Sequence, residues 1–290
     1  MSTQVDSGLH WNVRYLEREG VEAALTFLRR EPLINIYLIS RLLEEGLDTP
    51  HARFFEIRFD GSTACIALVG PNVTVATAPD ISPGILRDSM AFLAEIVITR
   101  MIPVRAIIAS VNPVDILWQH LRGKIDPPTV SRLHQPVYVI DPSHHDFPDL
   151  EFMRPSIVSD LPLLVPACAA MHLEEVGINP VDRDAVGYRR RIEELVRKNR
   201  SFVGLIDGRI AFKCEISAET EDAVQLMGVW TAPELRRKGL ARKGMREICG
   251  HIAQSGRVVT LFVNDFNKGA LDLYENLGFK RIGVNRALIW

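Results

Sequence analysis

The chain has 290 residues, 47% of them hydrophobic and 24% charged, with a formal net charge of −2. This is an ordinary globular balance with length enough for two domains of common size. It excludes a global basic field that would recruit nucleic acid, and no run approaches the ~18 uninterrupted apolar residues that span a membrane. The first residues are polar, without an apolar signal region, so a soluble, cytoplasmic protein is expected. Cys65, Cys168, Cys214 and Cys249 lie far apart with no C-x-x-C pair. A zinc site or redox dithiol is therefore not expected, and no metal is implied.

In the first half, Val21, Leu25, Leu28, Ile36, Ile39 and Leu42 recur at near-helical spacing, with a break around Pro32. Residues 52–59 alternate as a strand, and Asp60-Gly61 is a strong hairpin signal. Residues 63–69 and 73–78 read as further strands. A helix opened by Pro83 follows over 83–100, then an apolar strand over 104–110. Asn112-Pro113 is expected to cap a helix ending near residue 121. Residues 136–140 form a last strand, and 141–149, with two prolines and two histidines, read as a linker.

In the second half, Arg154-Pro155 ends a short strand and Ser159-Asp160 is expected to cap a helix over 161–175. After a loop at 176–181, Asp182 is expected to cap a second helix reaching residue 199. Strands over 202–206 and 209–217 are joined by Asp207-Gly208, a second hairpin turn, and a third strand covers 224–231. A helix (240–253), a strand (258–263), a helix (268–277) and a strand (282–289) complete the chain. The two halves share one element order without obvious sequence identity.

Between the strand at 224–231 and the helix opening at Leu240 lies Arg236-Arg237-Lys238-Gly239-Leu240-Ala241, an R-x-x-G-x-A pattern. A basic, glycine-bearing loop that opens a helix directly after a strand suits a pyrophosphate. The first N–H groups of a helix lack intrahelical partners, and the helix dipole favours an anion there. Gly239 lets the backbone approach the ligand without a Cβ in the way. One strand later come Asn267, Ala270, Tyr274 and Gly278-Phe279, an N-x-x-A-x-x-x-Y-x-x-x-G-F frame.

With both motifs in this order, residues 152–290 resemble the GNAT superfamily of acyl-CoA-dependent N-acyltransferases. Glu174-Glu175-Val176-Gly177, Gly228-Val229-Trp230 and Val263-Asn264-Asp265-Phe266-Asn267 are similar to a bacterial subgroup whose members carry an additional N-terminal domain of uncharacterised function. The resemblance and the shared element order imply a mixed α/β (α+β) protein. They imply a tandem of two acyl-CoA N-acyltransferase-like folds, each a mostly antiparallel sheet flanked by helices. Residues 1–149 would form a degenerate N-terminal copy and 150–290 the acetyl-CoA-binding catalytic domain. At the position equivalent to the phosphate loop the first half offers Pro79, Asp80 and Pro83. Prolines remove N–H donors and an aspartate repels phosphate, so this copy is not expected to hold CoA. It buttresses the second domain or walls off its acceptor site.

The resemblance implies an N-acetyltransferase that moves an acetyl group from acetyl-CoA to a primary amine by direct attack in a ternary complex. Arg236, Arg237, Lys238, Gly239, Leu240, Ala241 and Arg242 would hold the cofactor phosphates. Val229 and Thr231, with Trp230 between them, would bond the pantetheine arm through their backbone. Gly228 would mark a bulge that opens the pantetheine slot and frees N–H groups to polarise the thioester oxygen. Tyr274 is the candidate general acid for the leaving thiolate, since a phenol with a pKa of about 10 carries its proton at neutral pH. Asn267 would bond the cofactor arm. Asn264 would contact cofactor or acceptor, or serve as a turn residue.

The general base is less constrained. Many family members place a carboxylate on the motif strand, where this chain has Gln225. Glu215 on the preceding strand is the first candidate. Lys213 and Glu215 share one face of that strand and Phe212 and Cys214 the other, a pattern that a solvated strand also shows. Glu174, Glu175, His172 and a water chain are alternatives. Arg189-Arg190-Arg191 and Arg197-Lys198 alternate with Glu193 and Glu194 and read as a solvated helix face. His144-His145-Asp146 lacks further ligands at metal spacing.

Two other readings compete: a non-catalytic acyl-CoA sensor or protein-interaction module, and an aminoacyl-transferase, against which the intact phosphate loop argues. The acceptor, a small-molecule or protein amine, is not encoded in these motifs, and monomer and homodimer are both compatible with them.

Overall fold

The computed structural model describes residues 10–47, 51–100 and 103–290. These residues divide into two compact units. One takes the described residues up to Val137 together with 263–266 and 282–290; the other takes 138–262 and 267–281.

The first unit contains β1 (Trp11–Tyr15), α1 (Val21–Leu28), α2 (Ile36–Glu44), β2 (Arg53–Phe59), β3 (Ser62–Val69) and β4 (Asn72–Thr77). It continues with α3 (Pro83–Thr99), β5 (Ala106–Ser110), α4 (Val111–Leu121) and the first eight residues of β6 (Val130–Ile140). Strands β1 to β4 pair antiparallel in sequence order, β4 pairs parallel with β5, and residues 285–289 of β12 (Lys280–Ile289) run antiparallel along β5. Asp60 (φ 45°) and Gly61 (φ 77°) form the β2–β3 turn, with positive φ at both central positions as the right-handed strand twist favours. The side-chain alternation of β3 explains the layers. Cys65, Ala67 and Val69 pack with Met90, Leu93, Val114 and Leu117 of α3 and α4. Ile66 and Leu68 pack with Leu25, Leu28, Ile39 and Leu42 of α1 and α2.

The second unit contains the last three residues of β6, then β7 (Met153–Pro155), α5 (Leu161–Val176), α6 (Pro180–Arg197), β8 (Ser201–Ile206), β9 (Arg209–Glu219) and β10 (Ala223–Thr231). Then follow α7 (Leu240–Ala253), β11 (Val258–Phe262) and α8 (Lys268–Asn276). Strands β7 to β10 pair antiparallel in order and β10 pairs parallel with β11. The Thr260 hydroxyl donates to the Tyr138 carbonyl at 2.9 Å. Asp207 (φ 50°) and Gly208 (φ 72°) repeat the turn seen at Asp60-Gly61. The two units therefore share one plan, and the chain is a tandem of acyltransferase-like folds of mixed α/β class.

Several local expectations need correction. Strand β1 was not anticipated. Its Arg14 grips the buried Glu56 of β2 through Nε (2.8 Å) and a terminal nitrogen (2.6 Å). Strand β6 begins at Val130, six residues earlier than the apolar run suggests. Helix α4 starts at Val111 with Ser110 at its cap position, so Asn112 lies inside the first turn. Asp160 does not cap α5; its carboxylate takes both terminal nitrogens of Arg154 (2.7 and 2.8 Å) and the Ile157 N–H (2.8 Å). Helix α6 starts at Pro180, where Asn179 Oδ1 accepts the Val181 N–H at 3.2 Å and Asp182 accepts from the Asn179 amide. Asp184 leaves helical geometry (φ −160°, ψ 83°) and re-caps the chain by accepting the Gly187 N–H at 2.8 Å. Among the described residues no helix is long and apolar enough to cross a membrane, and no group of three or more His, Cys, Asp or Glu could hold a metal.

Candidate active site

The loop before α7 builds an anion cradle from its backbone. Arg237 (φ 60°) and Gly239 (φ 78°) both occupy the left-handed region, which turns successive N–H groups toward one concavity. Gly239 sits at the cap position of α7 with no side chain capping the helix. The first hydrogen bond across that cap is Lys243 N–H to the Gly239 carbonyl, at 3.0 Å. The N–H groups of Leu240, Ala241 and Arg242 thus face outward in the first turn. A Cβ on Gly239 would meet nothing within 4 Å, so the concavity is open. Arg237, Lys238 and Arg242 are exposed around it. Arg236 turns away: it donates to the Thr231 carbonyl (3.1 Å) and to Glu174 (2.6 Å), and Glu174 also accepts from the Trp230 indole (3.2 Å). Glu174 is thereby occupied.

Strands β10 and β11 pair only at Ala223–Val258, Val224–Val259 and Gln225–Thr260; beyond Gln225 they diverge. On its other side β10 is bulged. Met227 pairs with Glu215 and Trp230 with Lys213, so Gly228 and Val229 stand against the one intervening residue, Cys214. Gly228 has φ 61°, which a side chain would strain, and Val229 falls outside the ladder register. Gln225 is buried; its side-chain oxygen accepts from the Ser217 hydroxyl at 3.0 Å.

Beneath the bulge lies a buried polar cluster. Lys213 and Glu215 form a 2.6 Å ion pair with side-chain exposures of 0% and 7%. This rules out the solvated-strand reading of their alternation. Glu215 Oε1 also accepts from the Cys168 thiol of α5 at 3.3 Å. Its other oxygen rests on Gly228, where a Cβ would lie 1.8 Å from Oε2. Burial pushes the Cys168 thiol up to about 12, with the Glu215 charge adding to the shift.

Tyr274 lies on α8, buried against the rings of Tyr138 and Phe279 at centroid distances of 6.4 and 5.6 Å. Burial raises its phenol well above the ordinary value, with Cys214, Glu175 and Cys249 adding in the same direction, so the proton is held firmly at neutral pH. Asn267 caps α8, its Oδ1 accepting the Ala270 N–H at 3.2 Å. Asn264 follows β11 and is buried, its Oδ1 accepting from Gln135 at 2.9 Å.

Residues 203–288 match the family model described as FR47-like protein. Solved structures with the same fold include an acetyltransferase of the GNAT family from Colwellia psychrerythraea, at 13% identity and a TM-score of 0.57, covering 96% of this chain and 100% of that one. A GCN5-related N-acetyltransferase from Sphaerobacter thermophilus aligns at 16% identity and TM-score 0.59, covering 99% and 97%. A tandem GNAT protein from the clavulanic acid biosynthesis pathway aligns at 15% identity and TM-score 0.60, covering 97% and 98%. No curated protein matches the chain. The chain shares the fold of these GNAT proteins, and the FR47-like match lies within its second half.

Within this fold, Arg237 through Arg242 lie at the start of α7, Val229 to Thr231 end the bulged strand, and Glu215 meets the bulge from β9. The second unit also gathers residues to which sequence reasoning gave no role: Lys213, Cys168 and Tyr188. A usable signal was present. Lys213 and Glu215 stand in a run whose other members, Ile210, Ala211, Phe212, Cys214 and Ile216, are all apolar. Charges inside such a run are affordable only as a buried pair.

Proposed function

We propose that the protein is an acyl-CoA-dependent N-acyltransferase that uses acetyl-CoA and a primary amine in a ternary complex. The observation that carries this reading is the open left-handed cradle at Arg237–Gly239 beside a strand that is bulged at Gly228 and splayed from β11 beyond Gln225. The pyrophosphate sits on the N–H groups of Leu240, Ala241 and Arg242 with Arg237 and Lys238 neutralising it, and the pantetheine arm runs along Val229, Trp230 and Thr231 as an added strand. Asn267, at the cap of α8, bonds the cofactor arm. The N–H groups of the bulge polarise the thioester carbonyl. The amine nitrogen attacks the carbonyl carbon, a C–N bond forms and the C–S bond breaks. The nitrogen's proton goes to the Glu215 carboxylate and the Tyr274 hydroxyl proton to the departing thiolate. Both side chains then re-equilibrate with solvent.

The first unit does not take CoA in this reading. Its α3 is capped by its own Ser82, which accepts the Ile85 N–H, and Asp80 is paired with Arg30 at 2.9 Å. A second reading, acyl-CoA binding without transfer, is favoured by one observation: Gln225 stands where an acid is common, and it is occupied by Ser217.

Calorimetric titration with acetyl-CoA and CoA, on the wild type and Gly239→Glu, tests the cradle. Micromolar-range binding is expected, lost in the variant. A Cβ there is strained at φ 78°, and a carboxylate would sit in the anion's place. Wild-type affinity in Gly239→Glu would remove the pyrophosphate from this loop. Thiol release with a panel of amines then separates transfer from binding alone.

A further inference from the structure

Lys213 is the buried charge that this chemistry leaves unused. Its side chain is 0% exposed, between the buried Phe212 and Cys214. An isolated ammonium in such a place is driven to neutrality. Here the ammonium has three acceptors for its three protons: Glu215 Oε1 at 2.6 Å, the Gly228 carbonyl at 3.0 Å and the Met171 sulfur at 3.5 Å. Burial alone would lower its pKa. Burial is the largest single influence, but the Glu215 charge and hydrogen bond, with Cys168 and Cys214, together outweigh it and hold the group protonated, above the ordinary lysine value. The titratable neighbours facing it are Cys168 of α5, Tyr188 of α6, which burial pushes up to about 12, and Cys214 of its own strand.

The Gly228 carbonyl is the informative partner. A peptide unit is planar and trans, so the Gly228 C=O and the Val229 N–H point in opposite directions. Fixing the carbonyl on a buried ammonium fixes the N–H pointing away from that ammonium. A charged donor on the carbonyl also polarises the amide and strengthens its N–H as a donor. Glu215 packs against the same residue: its Oε2 would lie 1.8 Å from a Cβ on Gly228, so only glycine fits there. One ammonium therefore clamps the bulge peptide and the carboxylate together.

We propose that Lys213 is a positioning residue, which through the Gly228 carbonyl aims the Val229 N–H at the thioester oxygen, with Glu215 as the counter-ion that keeps the ammonium in place. This rests on the acyl-CoA reading above. The probe is acetyl-CoA carrying ¹³C at the thioester carbonyl, followed by infrared spectroscopy when bound to the wild type, to Lys213→Met and to the neutral pair Lys213→Met with Glu215→Gln. The wild type is expected to move the carbonyl band to lower wavenumber than in free acetyl-CoA. Both variants are expected to return it toward the free position while still binding; turnover is read only in Lys213→Met, where it is expected to fall about tenfold or more, because Glu215→Gln also removes the proposed base. The single variant leaves a buried carboxylate uncompensated and is expected to melt earlier. The neutral pair is expected to regain that stability without regaining the band shift, which separates positioning from a purely structural role. A neutral pair with the wild-type band position, or a wild-type band at the free position, would overturn the proposal. Absence of acetyl-CoA binding by the wild type would overturn the acyl-CoA reading itself, and this inference with it.

Discussion

Tyr274 shows what a single buried side chain can be asked to do. Its ring is part of the packing around Tyr138 and Phe279, so replacing it by phenylalanine removes one oxygen and keeps the contacts. Its proton is retained because burial disfavours the phenolate. It is thus a phenol that stays protonated at neutral pH, and in the proposed reaction it would donate to the departing thiolate as the C–S bond breaks. Tyr274→Phe is expected to lower kcat by about 100-fold, the lower end of general-acid contributions, while acetyl-CoA affinity measured by calorimetry stays near the wild-type value. Unchanged turnover would remove Tyr274 from the chemistry. The frame around this residue was legible in the sequence, because its spacing is fixed by one helix. The setting of Glu215 was only half legible: its place on the strand follows from alternation, but its contacts with Lys213 and the thiol of Cys168 form only through burial and the packing of α5 on β9.

At the scale of elements, the strands and helices were largely readable because apolar periodicity and the two Asp-Gly turns are local signals. The caps were less so. Asn112 and Asp182 are residue types suited to capping, yet Ser110 and Asn179 occupy the cap positions one and two residues before the helices begin to read as apolar. Strand β1 was missed because five residues of alternation carry little signal until β2 supplies the partner. Two side chains stitch the elements of the second unit together in ways no local pattern announces. Glu247 of α7 is 1% exposed and its Oε2 accepts the N–H groups of Glu151, Phe152 and Met153 at 2.9, 2.8 and 2.8 Å. Glu247→Leu leaves three donors unmet and is expected to cost about 3 kcal/mol or more in urea unfolding, with Glu247→Gln losing less because one oxygen remains. An equal loss in both would assign the effect to packing. Asp160 links the end of β7 to the start of α5. The Arg154 hydrogen bonds, with a smaller contribution from the Ile157 N–H, outweigh burial and hold its carboxyl below the ordinary value. A carboxylate with a lowered folded pKa stabilises above its unfolded pKa of about 3.9, and that contribution disappears as pH falls through the folded pKa. The stability gap between wild type and Asp160→Asn, about 1–3 kcal/mol at neutral pH, should therefore begin to narrow below about pH 4 and go on narrowing as pH falls through the folded pKa. A gap that does not narrow at all on acidification would show that the aspartate acts through shape.

At the scale of the molecule, the order of elements along the chain and the grouping of elements in space diverge at the last strand of each half. Dividing the chain at residue 149 groups the strand at 282–289 with the second half and leaves open whether it pairs across a dimer or with the first half. The structure lays residues 285–289 along β5 over the full register from Asn285–Ser110 to Ile289–Ala106. Within the second unit, Tyr138 of β6 supplies the carbonyl for the Thr260 hydroxyl. No periodicity in β12 names its partner strand. The consequence is testable. A fragment of residues 150–290 keeps the cradle and the bulge, but it lacks Tyr138–Ile140 and retains β12 without β5. Ala287 and Leu288, 1% and 5% exposed in the intact chain, would then lie on an unpaired apolar strand, a template for association. The fragment is expected to elute as soluble aggregate and to lose cooperative unfolding, whereas the full chain unfolds cooperatively. Co-expression with residues 1–149 is expected to restore a soluble complex. A monomeric fragment that unfolds cooperatively and binds acetyl-CoA as the full chain does would show that the pairing of β12 with β5 contributes little to the second unit.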